Sequence, residues 1–292
     1  MVWDCRGDSV AEAVARAGDY RGLSALARHW AGSRAEMQRR VAARTCDAAI
    51  FVGQLLADLC AHHIGPKPKL IIHCTASEDR FFYDPEARQA QRRRLGYQVD
   101  DKVLVYCGSL TSFEYFEDSL EYFARSAESD PRLRFLAVTP QVEVARRLVS
   151  RLKLPGVIVV QAEFEEVNLY LNAADAGLLL RRRDAIGAVA SPTKFAEYCL
   201  TGLPVIMNDY IGDTFSVAQS LGLCVSPDAM PFCSRLSGEQ RAAAAKKACV
   251  LLGKAQHVFQ YEQLYNSAFR RGECTTTDEF CSVTLDGART AR

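Results

Sequence analysis

The sequence predicts an α/β protein: a doubly wound parallel Rossmann-like sheet over residues 100–256, preceded by a partial Rossmann-like domain within residues 1–99. Three observations carry this. Short apolar runs alternate with helical patterns of ten to fifteen residues from about residue 100 onward. The stretch from Ser191 to Asn208, SPTKFAEYCLTGLPVIMN, joins a polar helix start, a charged face, a glycine stop and a buried strand. The chain has 292 residues, 49% of them hydrophobic and 24% charged, a globular composition with length for about two domains.

In chain order, Ser9 to His29 and Ser33 to Thr45 read as two helices. DAAIFVG follows as a strand, QLLADLCAHH as a helix ended by Gly65 and Pro66, and KLIIHCT as a strand. These elements are too few for a complete doubly wound domain and correspond to the last part of one. Ser77 to Asp100, with its RQAQRRRLG run, reads as a linker holding a short helix. The alternation then begins. KVLVYCGSL, RFLAVT, GVIVVQA, AGLLL, VIM and GLCVS are strands; FEDSLEYFARSAES, QVEVARRLVSRL, EEVNLYLNAA, the helix opened at Ser191 and TFSVAQSL are the helices between them. Such an order implies right-handed crossovers and a parallel sheet covered on both faces. A last helix, within 257–270, offers Tyr261 and Tyr265 as its packing face, and residues 271–292 lack apolar periodicity and are expected to be mobile.

Charge excludes some functions. With 36 basic and 35 acidic side chains, nothing in the balance points to nucleic acid. Arg39, Arg40 and Arg44, and Arg88 with Arg92 to Arg94, read as solvated helix faces. The eleven cysteines contain no C-x-x-C pair, which argues against a disulfide framework or a zinc site and for reduced thiols in a cytosol. His62 and His63 close a helix rather than hold a metal. The opening MVWDCRGDS has no apolar signal region, and the longest uncharged apolar stretch, between Asp47 and Asp58, is about half what a membrane span needs.

Ligands of doubly wound sheets bind beyond the strand C-termini, where strand order switches. Gly108, Thr139, Gln161 to Glu163, Arg181 to Arg183 and the start of the Ser191 helix all follow strands and are expected to converge there. Ser191 reads as an N-cap, Pro192 as the first helical residue, and Gly202 with Pro204 as the stop. The amides near Thr193 and Lys194 are then free for an anion. Lys194 and Glu197 share a face; their other reading is a solvated ion pair worth about 0.2–0.5 kcal/mol. Asp213 reads as N-cap of the TFSVAQSL helix.

YCGSL, VNLYLNAADAGLLL, ASPTKFAEYCLTGLPVIMND, IGD and FQYEQLY, in this order, resemble the C-terminal half of the retaining glycosyltransferases of the GT-B fold usually numbered family four. The resemblance covers roughly residues 100–270, while DCRGD and CDAAIFVGQLLADLC resemble the end of the family's acceptor-side domain, most of which this chain lacks. It makes residues 1–99 a remnant of that domain plus linker, 100–256 the nucleotide-sugar-binding domain, 257–270 a crossover helix and 271–292 a tail. The implied activity is transfer of a sugar from a nucleoside diphosphate sugar to an acceptor hydroxyl with retention, with no cofactor and no metal. The implied setting is polysaccharide or glycolipid assembly in the cytoplasm, at the inner membrane face where association is peripheral, on a sugar or lipid-linked acceptor.

Carried onto this chain, the resemblance implies Lys194, Arg6 and Arg182 as catalytic groups. It implies Gly108, Ser109, Thr139, Glu163, Phe164, Ser191, Thr193, Lys194 and Glu197 as donor-binding groups. Glu197 matches the second of the family's two glutamates, which orients the ribose; the position of the first is Val189, with Asp184 in the same loop as a substitute carboxylate. Arg6 has a second reading as a salt bridge to Asp4 or Asp8, and adjacent Arg181, Arg182 and Arg183 cannot all point into one site. Two other functions fit the same fold. One is a noncatalytic nucleotide-binding module, or an inactive fragment that needs a separate acceptor domain. The other is an isomerase or epimerase of nucleotide-linked amino sugars, against which stands the lack of any histidine between His73 and His257.

Overall fold

The computed structural model describes residues 1–19, 25–111, 114–229 and 235–270. Two parallel sheets organise it. The smaller has three strands in the order β1 (Val2–Cys5), β2 (Ala48–Phe51), β3 (Lys69–Ile71), with α1 (Ser9–Asp19), α2 (Ala25–Thr45) and α3 (Gln54–Ile64) between them. Phe51, Leu56, Ala57, Cys60 and Ile64 pack on one face of this sheet. After β3 comes α4 (Pro85–Arg94), capped by the Asp84 carboxylate, which accepts from the Glu86 and Ala87 amides.

The larger sheet is formed by β4 (Lys102–Cys107), β5 (Leu133–Val138), β6 (Val157–Val160), β7 (Ala176–Leu179), β8 (Val205–Met207) and β9 (Cys224–Val225). The helices between these strands are α5 (Phe116–Ser129), α6 (Val142–Arg151), α7 (Val167–Ala173), α8 (Ala185–Ala188), α9 (Thr193–Leu200) and α10 (Gly212–Leu221). After β9 come α11 (Gly238–Leu252) and α12 (Val258–Arg270). Strand order is β6-β5-β4-β7-β8-β9, so the chain grows outward from β4 in one direction and then returns to β4's other edge. The fold is the doubly wound one the alternation predicts. Its switch point lies between β4 and β7.

Several elements differ from expectation. The helix break expected between His29 and Ser33 is absent, because Gly32 faces inward, where a Cβ would lie 3.0 Å from Val14 Cγ2. There the glycine permits close packing of α1 on α2 instead of ending a helix. β1, α8 and α11 were not foreseen. α11 opens with a capping box in which Ser237 and Gln240 satisfy each other's amides, and it buries Arg241, Ala244, Ala248 and Leu252. On α12 the packing face is Tyr261, Leu264 and Ala268 against Ala48 and Ile50; Tyr265 is 43% exposed. The expected mobile tail, 271–292, lies outside the described residues.

Arg88 and Arg92 correct the reading of their cluster as a solvated face. Asp175, buried before β7, accepts from Arg88 at 2.5 Å, Arg92 at 3.2 Å and Arg235 at 3.1 Å, and from the Val103 amide at 2.9 Å. Arg88, Arg92 and Arg241 also donate to carbonyls of Asn172, Ala173 and Ala174 at the C-terminus of α7, and Arg241 to Thr201 after α9. A helix end carries partial negative charge, and these guanidinium groups answer it inside the protein. The expected linker helix α4 is thereby fastened to the large sheet. The cysteines with described surroundings are free thiols, six of them buried.

Candidate functional site

The switch-point crevice is built from the ends of β4 and β7 and from α9. Tyr198 positions the helix. Its ring lies on Gly177 of β7, where a Cβ would come within 2.4 Å of it, and its hydroxyl oxygen accepts the Cys107 amide at the end of β4 at 2.9 Å. Gly202, with φ at +66°, ends the helix as expected. α9 begins at Thr193, not Pro192, and no side chain caps it, so its first-turn amides remain unclaimed by side chains.

The Ser191 reading as N-cap is therefore corrected. Ser191 sits one residue too early, and its hydroxyl instead accepts the Cys74 amide, beyond β3, at 2.9 Å. Asp213 is corrected in the same way. It lies inside α10, and its carboxylate accepts the Gln54 amide at the start of α3, so it caps a helix of the small sheet. Gly53 makes room, since a Cβ there would lie 2.7 Å from Asp213 Oδ2. His73, near Asp213 on the same boundary, is held below its ordinary value by burial, although Asp213 pulls it upward.

Lys194 is 8% exposed, and its ammonium forms an ion pair with Glu114. Arg181, also buried, reaches the same Glu114 oxygen at 3.2 Å. Burial pushes Lys194 down from its ordinary value against the pull of Glu114. Burial alone would raise Glu114, but Lys194 and Arg181 hold its carboxyl below the usual range. The ammonium lies 4.6 Å from the centre of the Tyr106 ring, and a Cβ on Gly108 would stand 3.0 Å from Nζ. Gly108 has φ at +135°, which side-chain-bearing residues rarely adopt, so its backbone favours glycine, and a Cβ would also crowd the Lys194 ammonium.

Glu197 lies one helical turn from Lys194. Its carboxyl is pushed up to about 7, mainly by burial, with Lys194 pulling the other way. The group thus combines two buried cations, one ionised carboxylate and one carboxyl near its midpoint at neutral pH. That is a net positive cluster at a helix start, a charge balance that favours an anion.

The remaining candidates spread out. Ser109 uses its carbonyl to accept the Tyr106 hydroxyl at 2.5 Å. Thr139, buried at the end of β5, shares a hydrogen bond of 3.1 Å with Gln141 beside an open cavity of about 490 Å³ lined by Pro140, Gln141, Glu143, Arg146 and Gln161. A second cavity of about 640 Å³ lies beyond β8 and β9, near Asn208, Tyr210 and Ser226. Lys194 and Glu197 line neither. Thr193 is exposed at the helix start. Glu163 is exposed, and Phe164 turns toward Phe81, with ring centres 5.8 Å apart, under the Arg80 guanidinium. Arg6 is bonded to Asp4 at 2.8 Å and Arg182 to Asp118 at 3.1 Å, both with side chains mostly in solvent. Among the three arginines, Arg181 rather than Arg182 joins Lys194. Asp184 is committed elsewhere, accepting the Gly187 amide at 2.7 Å and the Tyr115 hydroxyl at 2.6 Å. Val189 packs on the core of the small sheet.

Glu114 was missed because it acts on a partner 80 residues away, which no local spacing encodes. Asp213 left a signal, an acid after a strand, but the helix it caps is distant. Among the described residues no helix is long and apolar enough to cross a membrane.

Solved structures share this architecture. Sucrose-phosphate synthase from Thermosynechococcus elongatus superposes with a TM-score of 0.59 at 15% identity, covering 92% of this chain and 68% of that one. WaaG, a glycosyltransferase involved in lipopolysaccharide biosynthesis, gives 0.58 at 18% identity, covering 93% and 74%. Anabaena HepE in complex with UDP-glucose gives 0.62 at 14% identity, covering 91% and 72%. The fold is that of GT-B glycosyltransferases. This chain spans between about two thirds and three quarters of the length of these three neighbours. No family model and no curated protein matches it.

Proposed function

We propose that this chain binds a nucleoside diphosphate sugar beyond β4 and β7 and supplies the donor half, residues 100–256, of a retaining glycosyltransferase whose acceptor side adjoins the small sheet. The observation that carries the reading is the buried Lys194, held with Arg181 on one carboxylate at the switch point and set beside Gly108 and Glu197. The diphosphate takes the place of the Glu114 carboxylate between the two cations and against the first amides of α9. Ionised Glu197 accepts the ribose hydroxyls, and the base rests toward Thr139 and Gln161. In transfer, the bond from the anomeric carbon to the diphosphate breaks, and the acceptor oxygen bonds to that carbon on the same face. The acceptor proton passes to the departing phosphate oxygen. Lys194, Arg181 and the α9 amides stabilise the charge that develops there, an effect on the order of 3 kcal/mol for a single well-placed donor. The UDP-glucose in the structure of HepE, a fold neighbour, is a ligand of this class. Arg6 and Arg182, each held by its own carboxylate, take no step in this scheme.

The test is calorimetric titration with the diphosphates of uridine, guanosine, thymidine, adenosine and cytidine. Saturable binding of one, weakened in Lys194→Ala and Glu197→Ala, is the expected result. No binding by any of the five overturns the donor site.

Val189 favours a second reading. It places an apolar side chain where the resembling family carries its first glutamate. A chain that binds a diphosphate but neither transfers nor hydrolyses the matching sugar donor would be a noncatalytic nucleotide-binding module.

A further inference from the structure

The cavity of about 640 Å³ beyond β8 and β9 is lined by neither Lys194 nor Glu197, and the proposed transfer leaves it unused. Its size falls within the roughly 300–1,000 Å³ of small-molecule sites. Its wall has two characters. Met207 and the half-buried Phe215 make it apolar on one part, with a ring face available for stacking. Asp209 and Asp228, both exposed, bring two carboxylates to another; among the described residues neither has an ion-pair partner, and no Lys or Arg lines the cavity. Arg183 stands over the Tyr210 ring, 5.7 Å from its centre, and pairs with neither acid. A pyranose ring suits such a wall, because it offers an apolar C–H face to an aromatic ring and hydroxyls to polar groups, here Gln219 and Ser226. An ammonium on that ring answers the carboxylates.

Two residues of the same wall hold the main chain of Arg181. Asn208 Oδ1 accepts the Arg181 amide at 2.8 Å, and the Tyr210 hydroxyl donates to the Arg181 carbonyl, so the peptide groups on both sides of that residue are fixed from the cavity. Strand pairing explains the reach: β7 and β8 are hydrogen-bonded neighbours with Leu179 opposite Met207, and the chain beyond each end runs side by side. The Arg181 side chain is the one that joins Lys194 on Glu114. A ligand resting on Asn208 and Tyr210 therefore bears on a crevice cation without entering the crevice.

We propose that this cavity binds an amino sugar, its ring on Phe215 and its ammonium held by Asp209 and Asp228, and that Asn208 and Tyr210 pass its occupancy to Arg181. The test is calorimetric titration of the full chain with glucosamine, and with glucose and N-acetylglucosamine, which keep the ring and lack the ammonium. Saturable binding of glucosamine is expected, with the two neutral sugars weaker by about five-fold or more. Asp209→Asn with Asp228→Asn should weaken glucosamine about five-fold while the thermal unfolding curve stays unchanged, since both side chains are exposed. Inorganic pyrophosphate then reads the crevice cations without regard to the base. Glucosamine should tighten its binding about five-fold, because the ammonium neutralises acids on the loop that holds Arg181, and pyrophosphate should tighten glucosamine by the same factor. Tyr210→Phe keeps the ring and loses the bond to Arg181, so it should bind glucosamine as before and lose the coupling. Absent glucosamine binding, equal binding of glucose, or undiminished binding by the double variant would each overturn the site. Pyrophosphate affinity unmoved by glucosamine would overturn the coupling. The coupling rests on the donor site proposed above and the cavity does not: a chain that binds glucosamine but no pyrophosphate loses the donor reading and the coupling, and keeps this site.

Discussion

Lys194 and Glu114 form an ion pair beneath the crevice, 80 residues apart in sequence, with the ammonium almost wholly enclosed. Glu114 also receives Arg181, so one carboxylate balances two cations. Glu114→Gln takes from both cations the carboxylate they share. Removing one partner of a buried pair costs about 3–5 kcal/mol, and the expected result is a large loss of stability in urea denaturation. The same variant should bind a nucleoside diphosphate more tightly than wild type, because no carboxylate competes for the cations. Equal affinity in calorimetry would mean that Glu114 does not stand where phosphate goes.

Lys194→Ala and Glu197→Ala should each weaken diphosphate binding about ten-fold, or 1.4 kcal/mol, with the fold retained by circular dichroism. Unchanged affinity in both would remove the site from consideration.

Glu197 carries a pH signature. Its carboxyl stands at about 7 in the folded chain, against an ordinary 4.5. The folded state therefore binds more protons than the unfolded state between these values. Its contribution to stability is fully present below 4.5 and lost as pH rises through about 7. Melting temperature measured across that window should fall less steeply in Glu197→Gln than in wild type. Parallel curves would show that Glu197 is ionised like a surface carboxylate.

Asp213→Ala removes the cap that α10 lends to α3. A lost cap costs about 1 kcal/mol, and hydrogen exchange at the first amides of α3 should accelerate more than exchange elsewhere. Uniform acceleration across the chain would indicate a global rather than a capping effect.

Asp175→Asn should be among the most damaging single changes outside the crevice, since Arg88, Arg92 and Arg235 all converge on that one buried carboxylate. A loss of about 3–5 kcal/mol is expected from chemical denaturation. Near-neutral stability would mean that the helix-end carbonyls alone suffice to hold the arginines.

The large sheet was legible because its strands and helices announce themselves locally: α5 covers the FEDSLEYFARSAES run residue for residue, and VIM is β8. β1 escaped because VWDC is short and carries a charge, and α2 was divided because Gly32 looks like a stop when it is a packing contact. At the site, Gly108, Lys194 and Glu197 could be read from loop and helix patterns. Glu114 and the true roles of Ser191 and Asp213 could not, since each depends on a partner brought near only by the chain's long-range path. Arg88 and Arg92 looked solvated for the same reason; Asp175 lies more than eighty residues beyond either.

Ser191 and Asp213 both end on main-chain amides, those of Cys74 and Gln54. A peptide N–H is present at every residue but proline, so neither bond requires a particular side chain at the residue that donates it, although the second needs the open space at Gly53. At these two donor positions the large half thus grips backbone rather than side chain, so any replacement but proline keeps both bonds, while Gly53 and the packing of Val189 still tie the boundary to particular residues.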